Sequence, residues 1–228
     1  MSETDATIVP ADGAEPPAKS VRARLIATGE QLFAERGWNG VSIRTIASAA
    51  DVSLAALNYH FGLKENLLAE IFAARARPIA EERMRLLALV EATPAPTLEA
   101  VLDAFLRPAL TAGTDSQFGG RVFARLRARL ATEPEAFSRR ILSDAFDDSS
   151  RRCIAALQRV LPDLPGEELN WRFHFLMGTM VYTMADSGRI QALTGGACDP
   201  GDVESALRHL VPFLAAGFRA PPAGPPPS

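Results

Sequence analysis

Apolar residues recur at helical spacing along most of the chain, and no segment alternates apolar and polar residues as a half-buried strand would. The first pattern runs from about Ser20 to Arg36, with Gly37 placed to end it. A longer pattern runs from Leu63 to Glu91 and is interrupted by Pro78. We therefore predict an all-α fold. Five further helical patterns follow, at about Thr97–Ala112, Gln117–Thr132, Pro134–Leu161, Gly166–Ser187 and Asp202–Phe218.

Two short helices joined by a tight turn are predicted between the first two patterns. Ser42 is a suitable N-cap for the first, whose apolar residues fall on one face. Asp51-Val52 breaks that pattern, and Ser53 caps a second helix whose inward residues would be Leu57 and Phe61. Helix, short turn and capped helix within about twenty residues is the helix-turn-helix arrangement, in which the second helix enters the major groove of DNA.

The segment from 42 to 64, SIRTIASAADVSLAALNYHFGLK, resembles the DNA-binding motif of the TetR family of transcriptional regulators. The closing Tyr-His-Phe, followed three residues later by Lys, is the most specific part of the match. Asp51 stands where the family prefers Gly, so the turn needs a residue that accepts a left-handed backbone, which Asp tolerates better than most. Asn58 stands where the family commonly has Tyr, and the base preference is therefore open. The residues that carry the resemblance are Ser42, Ile43, Arg44, Ile46, Ala47, Val52, Ser53, Leu57, Tyr59, His60, Phe61 and Lys64.

The second helix supplies most of the predicted DNA contacts. Its opening residues are small or apolar and suit thymine methyl groups, while the amide of Asn58 suits an adenine edge. The resemblance implies phosphate contacts for Tyr59, His60 and Lys64, which fix register without reading sequence. Tyr59 packed against the first helix and His60 as a plain loop residue are the alternatives. The full predicted set is Ser42, Arg44, Ser53, Leu54, Ala55, Ala56, Asn58, Tyr59, His60 and Lys64.

Charge is distributed unevenly along the 228 residues, although the net charge is only −3. Residues 19–64 hold six basic and three acidic residues, whereas residues 1–18 hold four acids and no Lys or Arg. Positive charge thus collects where DNA phosphates would lie.

The same contrasts predict the domain organisation. Residues 1–18 and 220–228 are rich in Pro and Ala and are expected to be disordered tails. Residues 19–64 form the predicted DNA-binding domain, and residues 65–219 form a domain for ligand binding and dimerisation. The acidic start lacks the features of a signal peptide, and no apolar run approaches the roughly 18–20 residues of a membrane span, which predicts a cytoplasmic protein.

No enzymatic, metal or cofactor site is predicted. Cys153 and Cys198 are the only cysteines, one expected in the core and one in a loop, and they are not spaced for zinc. The three histidines do not follow the Glu-x-x-His pattern of di-metal bundles, and no phosphate-binding Gly loop or Gly-x-Ser-x-Gly elbow occurs.

The pattern at Gly166–Ser187 is apolar most of the way round and must be covered on more than one side. Together with the last helix it would form a four-helix interface between two chains, the arrangement that the resemblance implies. Twofold operators call for twofold proteins, so we favour a homodimer over a monomer core. The predicted interface consists of Trp171, Phe175, Val181, Tyr182, Leu207, Val211, Leu214 and Phe218.

The C-terminal half is similar to the PsrA-type branch of the family in the runs WRFHFLMG and HLVPFLAAGFRA, and LNYHFGLKENLL fits that branch as well. The resemblance implies a small apolar effector such as a long-chain fatty acid or acyl-CoA, whose binding relieves repression. The predicted effector residues lie on apolar stripes, which are also compatible with a plain core. They are Phe105, Phe118, Arg121, Val122, Arg125, Leu126, Phe137, Ile141, Phe146, Phe173 and Met177.

Two features suggest how an effector would act. Arg121, Arg125 and Arg129 repeat every four residues, either at the mouth of an apolar tunnel, where they would pair with an anionic group, or on a solvated face. Pro78 lies in the helix that links the two domains, so a kink there would act as a hinge or would merely bend the helix around the core. A constitutive or architectural DNA-binding protein without an effector is the alternative function.

Overall fold

The computed structural model of the chain describes residues 20–115, 119–133, 136–185 and 188–223. Within these ranges the chain forms ten α-helices and no strand, which confirms the all-α prediction. Nine of them match the predicted patterns to within a few residues, and only α9 was not predicted. The helices are α1 (Val21–Arg36), α2 (Ile43–Ala49), α3 (Leu54–Phe61), α4 (Lys64–Glu91), α5 (Leu98–Thr114), α6 (Gly120–Thr132), α7 (Ala136–Val160), α8 (Gly166–Ala185), α9 (Arg189–Leu193) and α10 (Val203–Arg219).

Short polar side chains set the starts of several helices. The hydroxyls of Ser20, Ser42 and Ser53 each accept a hydrogen bond from the backbone N–H three residues on, at 3.2, 3.0 and 3.1 Å. These caps satisfy backbone donors that have no partner inside the helix. At the other end of α1, Gly37 adopts a φ of 71° and donates its N–H to Phe33 O, so it ends the helix as predicted.

Helix α4 continues through Pro78 rather than ending there. The proline removes only the hydrogen bond that residue 78 would have donated to Ala74 O, and the turns on either side keep theirs. A kink or a break was predicted at Pro78, and the helix does not break there. Whether Pro78 acts as a hinge stays a hypothesis.

The three N-terminal helices pack on one another and contribute Leu25, Phe33, Ile46, Leu57 and Phe61 to the hydrophobic core. Helix α4 leaves this unit and packs against α5 and α7 of a second bundle, in which α6 lies on α8 and α10 lies on α5. One long helix thus contacts both the N-terminal helices and the second bundle.

The two units also touch directly, because α1 packs against α4 and α6. Arg75 of α4 donates two hydrogen bonds to the buried Glu30 of α1, at 2.9 and 2.8 Å. Arg129 of α6 donates to Ala34 O and Glu35 O, both at 2.8 Å, and so satisfies carbonyls at the end of α1. These contacts fix the orientation of the N-terminal helices on the larger bundle.

The predicted tails lie largely outside the described residues, which begin at 20 and end at 223. Residues 221–223 contact α8, since Pro221 O accepts from Arg172 and Ala223 N donates to Glu168. No helix among the described residues has the length and apolar character needed to cross a membrane.

Candidate nucleic-acid interface and regulatory core

Helix α3 has one buried face and one exposed face. Leu57 and Phe61 are buried, as predicted, and hold α3 against the other two N-terminal helices. Leu54, Ala55 and Asn58 are exposed on the opposite side. Tyr59 is 86% exposed and stands against the edge of the His60 ring, so the alternative in which Tyr59 packs on α1 does not apply. The exposed face carries no acidic group and is free to meet another molecule.

The turn between α2 and α3 has the backbone that its sequence predicted. Asp51 has a φ of 51°, the only non-glycine residue with a positive φ among those described. Its carbonyl accepts a hydrogen bond from Arg24 at 3.2 Å, which ties the turn to α1. The left-handed backbone of Asp51 and the hydrogen bond from Arg24 together hold the turn, and with it the angle between α2 and α3.

The two serines of the predicted site are engaged as caps, and their contact with DNA stays a prediction. Ser53 caps α3, and Ser42 caps α2 and also hydrogen-bonds the Thr45 hydroxyl at 2.8 Å. Arg44 is exposed in the first turn of α2, and Ala56 of α3 is half-buried.

Lys64 has a different environment from the one expected of a phosphate ligand. Its ammonium donates to Trp38 O and Val41 O, both at 2.8 Å, and lies 3.7 Å from the centre of the Trp38 ring. Burial lowers the pKa of this ammonium, while Glu133 and Glu65 act in the opposite direction. Lys64 therefore holds the α1–α2 loop in place, and its phosphate contact stays a prediction.

Trp38 joins the N-terminal helices to the second bundle. Its ring packs against Phe33 of α1 and against Phe137 of α7, with centroid separations of 5.9 and 4.2 Å. The backbone N–H of Trp38 donates to the Glu133 carboxylate, just after α6, at 3.1 Å. Phe137, predicted as an effector residue, thus lies at this junction.

Asn58 gives the most direct test of base readout. We expect Asn58→Ala to weaken specific DNA binding by roughly 5- to 150-fold, the range for loss of one bidentate base contact. Thermal stability should not change, because the side chain is exposed. Fluorescence anisotropy with specific and scrambled duplexes measures the effect. An equal loss on both duplexes would contradict a base contact.

The predicted effector residues divide into a buried set and an outward set. Phe105, Leu126, Ile141, Phe146 and Phe173 are buried, and Val122 and Met177 are half-buried. Phe105 packs on Phe173 with the ring centres 5.5 Å apart, so these residues form a packed core. Phe118 lies outside the described residues.

The row of arginines on α6 faces away from this core. Arg121 and Arg125 are exposed, and Arg129 binds the end of α1. Of the two alternatives, the tunnel mouth does not apply to Arg129, and the exposure of Arg121 and Arg125 agrees with the solvated face.

Two other arginines, which the sequence analysis did not select, lie inside the core. Arg83 of α4 is 0% exposed and Arg127 of α6 is 2% exposed. Both stand at positions of an apolar stripe, since Arg83 falls between Ile79 and Leu87 at intervals of four. A charged residue in the middle of such a stripe is the feature of the sequence that could have revealed a buried arginine. Burial lowers the pKa of Arg127 to about 10 and that of Arg83 well below its usual value, with the neighbouring Arg127 charge as a further cause.

Cys153 lies in the same core, whereas Cys198 is exposed, as predicted. Burial raises the pKa of the Cys153 thiol to about 12, although the charge of Arg83 opposes the shift. At pH 8 only roughly one in 10⁴ of such thiols is ionised.

A thiol titration at pH 8 should accordingly detect one fast cysteine per folded chain. A chromogenic disulfide reagent should react quickly with Cys198 and with both cysteines in denaturant, because only the thiolate attacks. Cys198→Ser should abolish the fast phase. Two fast thiols in the folded wild type would show that Cys153 is accessible.

The predicted dimer residues also divide. On α8, Trp171, Phe175 and Tyr182 are 55%, 59% and 68% exposed, and Val181 is half-buried. On α10, Leu207, Leu214 and Phe218 are buried inside the chain, where α10 packs on α5, and Val211 is half-buried. Those three were wrongly predicted to face a partner, because the chain itself covers that side of α10.

The outward side of α10 carries Phe213 instead, which is 67% exposed. Together with Trp171, Phe175 and Tyr182 it forms an exposed aromatic surface, which we call the α8–α10 face. His174 is exposed beside Trp171 on the same surface. A groove of about 810 Å³ lies at one end of this face, between Tyr182, His209 and Phe213.

Two sequence profiles of known families match the chain. Residues 25–71 match the family described as bacterial regulatory proteins, tetR family. Residues 103–217 match the family described as tetracyclin repressor-like, C-terminal domain. A Bacillus subtilis protein described as "probable HTH-type transcriptional regulator YttP" is 33% identical over 64 residues, a stretch that spans 26% of this chain and 31% of YttP. The chain thus matches about a third of that curated relative.

Solved structures share the fold over most of its length. PfmR, a TetR-family regulator from Thermus thermophilus, superposes with a TM-score of 0.60 and 18% identity, covering 91% of this chain and 100% of PfmR. The regulator FadR from Bacillus subtilis, in complex with stearoyl-CoA, superposes with a TM-score of 0.60 and 14% identity, covering 85% of this chain and 97% of FadR. At such identities the likeness extends to the fold alone.

Proposed function

Because this chain belongs to the TetR family of bacterial regulatory proteins, we propose that it is a homodimeric, DNA-binding transcriptional repressor that a small amphiphilic effector releases from its operator. The family membership confirms the resemblance drawn from residues 42–64 and the class of non-enzymatic regulator. The PsrA-type branch stays a prediction, as do the cytoplasmic location, the operator and the effector.

The observation that carries the proposal is the exposed face of α3. A helix capped by Ser53 and anchored by Leu57 and Phe61 presents Asn58 and Tyr59 to solvent. Such a helix in the major groove would read bases with Asn58 and contact backbone with Tyr59 and His60.

The α8–α10 face supports the dimer. Exposure of its four large aromatic residues to water is unfavourable in free energy. A second copy of the chain would cover them with the same surface. A twofold pair would present two α3 helices, and operator half-sites would then lie about 34–36 Å apart.

The groove of about 350 Å³ between α4 and α5, which Ile79, Leu86 and Pro108 line, supports an apolar effector. FadR, with which this chain shares its fold, was crystallised with stearoyl-CoA, so long-chain acyl compounds are the first candidates. The domain junction at Trp38 gives a route by which a change in the bundle would tilt α3.

Binding of genomic fragments in the presence of acyl compounds tests the proposal. Fragments retained by the protein at low salt would be sequenced and used in anisotropy titrations, with and without palmitate or palmitoyl-CoA. We expect saturable, salt-sensitive binding to a few fragments and a fall in affinity of roughly 5- to 150-fold when the effector is present, the range of ordinary allosteric coupling.

The two parts of the proposal fail separately. Equal retention of all fragments would contradict a specific regulator. Specific binding that no acyl compound alters would favour the constitutive regulator without an effector.

A further inference from the structure

Two positive charges inside the C-terminal bundle lack an anionic partner among the described residues. Arg83 donates Nε to Phe105 O at 2.8 Å and an Nη to the Met180 sulfur at 3.1 Å. Its other Nη is buried without any hydrogen-bond partner. Arg127 donates to the Met184 sulfur at 3.3 Å. Thioether sulfur is a weak acceptor, so these guanidinium groups are poorly satisfied.

The two guanidinium groups are close neighbours. Both lie against the Phe146 ring, at 5.4 Å for Arg83 and 4.4 Å for Arg127, and Arg83 also stacks 3.9 Å from the Phe105 ring centre. The sulfur atoms that accept from the two arginines belong to Met180 and Met184, which lie one turn apart on α8. The charge of Arg127 also contributes to the lowered pKa of Arg83, as expected of two cations at short range.

Elsewhere the fold compensates its buried charges. The buried Glu30 is paired with Arg75, and the buried Arg172 is paired with Glu168 and with the carbonyl of Phe218. Burying an unpaired charge is strongly unfavourable, whereas an anion that enters would meet donors already desolvated and oriented.

A groove of about 350 Å³ runs along the seam between α4 and α5, where apolar residues line it together with Glu82, Arg85 and Arg107. Ile79 and Leu86, one turn to either side of Arg83, both line it, and so does Pro108, one turn after Phe105. Its size falls within the range of ligand pockets. Pro78 of α4 and Pro108 of α5 face each other's helix across this groove, and each removes one hydrogen bond inside its own helix.

We propose that Arg83 and Arg127 together bind the anionic head of the effector, a carboxylate or a phosphate, while its apolar chain enters along the α4–α5 seam. This inference rests on the proposed function, because it assigns the head-group site of the same effector. The oxygen atoms of the anion replace Met180 and Met184 as acceptors, and the flexible thioether side chains move aside.

Calorimetric titration of the full-length protein with matched amphiphiles tests this assignment. Palmitate and hexadecanol carry the same chain with and without a charge, and hexadecyl phosphate replaces the carboxylate by a phosphate. We expect the wild type to bind the anions roughly 10- to 100-fold more tightly than the alcohol, as befits one or two charge-assisted hydrogen bonds. The better of the two anions identifies the head group.

Substitution of each arginine tests whether it causes the tighter binding of the anions. Arg83→Met and Arg127→Met should each abolish the preference for palmitate, keep DNA affinity, and melt at the same or a higher temperature, since they remove an unpaired buried charge. Arg140→Met, at an exposed position of α7, is the matched control and should behave as the wild type.

The outcomes separate the site from the function. Equal affinity of the wild type for palmitate and hexadecanol, with DNA release by both, would overturn the arginine site and leave the effector function intact. Binding of no amphiphile would overturn the effector class. In that case the change in melting temperature with acetate or inorganic phosphate decides whether an anion site exists. Stabilisation of the wild type but not of Arg127→Met supports the site, and no stabilisation of the wild type overturns it.

Discussion

Substitution of Phe175 by Glu is expected to convert the dimer into monomers and to weaken operator binding by at least about 100-fold, because one helix-turn-helix reads only half of a twofold operator. Phe175 is 59% exposed in the single chain and lies in the middle of the α8–α10 face. In a twofold dimer each substitution is present twice. Two carboxylates would then lose water at one apolar interface without a cation to pair with.

Sedimentation velocity and anisotropy titration on the same sample measure both effects. Leu89→Glu is the matched control, since Leu89 is 56% exposed on α4 and lies outside the α8–α10 face. It should change neither mass nor DNA affinity. A dimeric Phe175→Glu protein would place the interface elsewhere.

A second variant tests whether an uncharged side chain disrupts the dimer by its size alone. Gly178 stands between Phe175 and Tyr182 on the same side of α8, and a Cβ at this position meets no atom within 4 Å in the single chain. Gly178→Leu should stabilise the isolated helix by about 1 kcal/mol and still disrupt the dimer, because its side chain occupies the space of the partner. A more stable protein that has become a monomer would be hard to explain by misfolding.

Local signals in the sequence were sufficient for the DNA-binding unit. Ser42 and Ser53 begin helices because their hydroxyls cap backbone donors within three residues, and Asp51 adopts the left-handed backbone that its place in the turn demands. Each of these effects depends on a few neighbouring residues, so the chain order alone reveals it.

The regulatory core depends on contacts between distant segments, and here the sequence was less informative. Helix α10 has apolar residues on two sides, and only the packing of α10 on α5 decides that Leu207 and Leu214 face inward while Phe213 faces outward. The arginine row on α6 is regularly spaced, and this spacing suggested a role in effector binding. Arg127, on the apolar stripe of the same helix, is the one that enters the core.

Helix α6 offers a physical link between the core and the DNA-binding unit. Arg127 lies near its middle, and Arg129 and Glu133 at its end bind the carbonyls of α1 and the N–H of Trp38. Any displacement of Arg127 by a ligand would move this end, and with it the loop that carries Trp38. Coupling then needs only a small rigid movement of a helix whose middle lies in the core and whose C-terminal end contacts the DNA-binding unit.

Replacement of Trp38 by Ala should therefore remove the response to the effector as well as part of the stability. The ring stacks on Phe33 and Phe137 and lies under the Lys64 ammonium, so three contacts at the junction of the two units are lost together. We expect a decrease of about 2–4 kcal/mol in the free energy of unfolding, slightly less than for a fully buried Trp because Trp38 is half-buried. DNA affinity without effector should fall less than the stability does, since the α3 face itself is intact.

Denaturant unfolding and anisotropy titrations with and without palmitoyl-CoA measure the two effects separately. Trp38→Phe keeps a ring between Phe33 and Phe137 and should retain most of the stability and of the effector response. Because the only other tryptophan is Trp171, Trp38 can be followed by fluorescence in a Trp171→Phe background, where effector binding should shift its emission. A Trp38→Ala protein that releases DNA as completely as the wild type would contradict a route through Trp38.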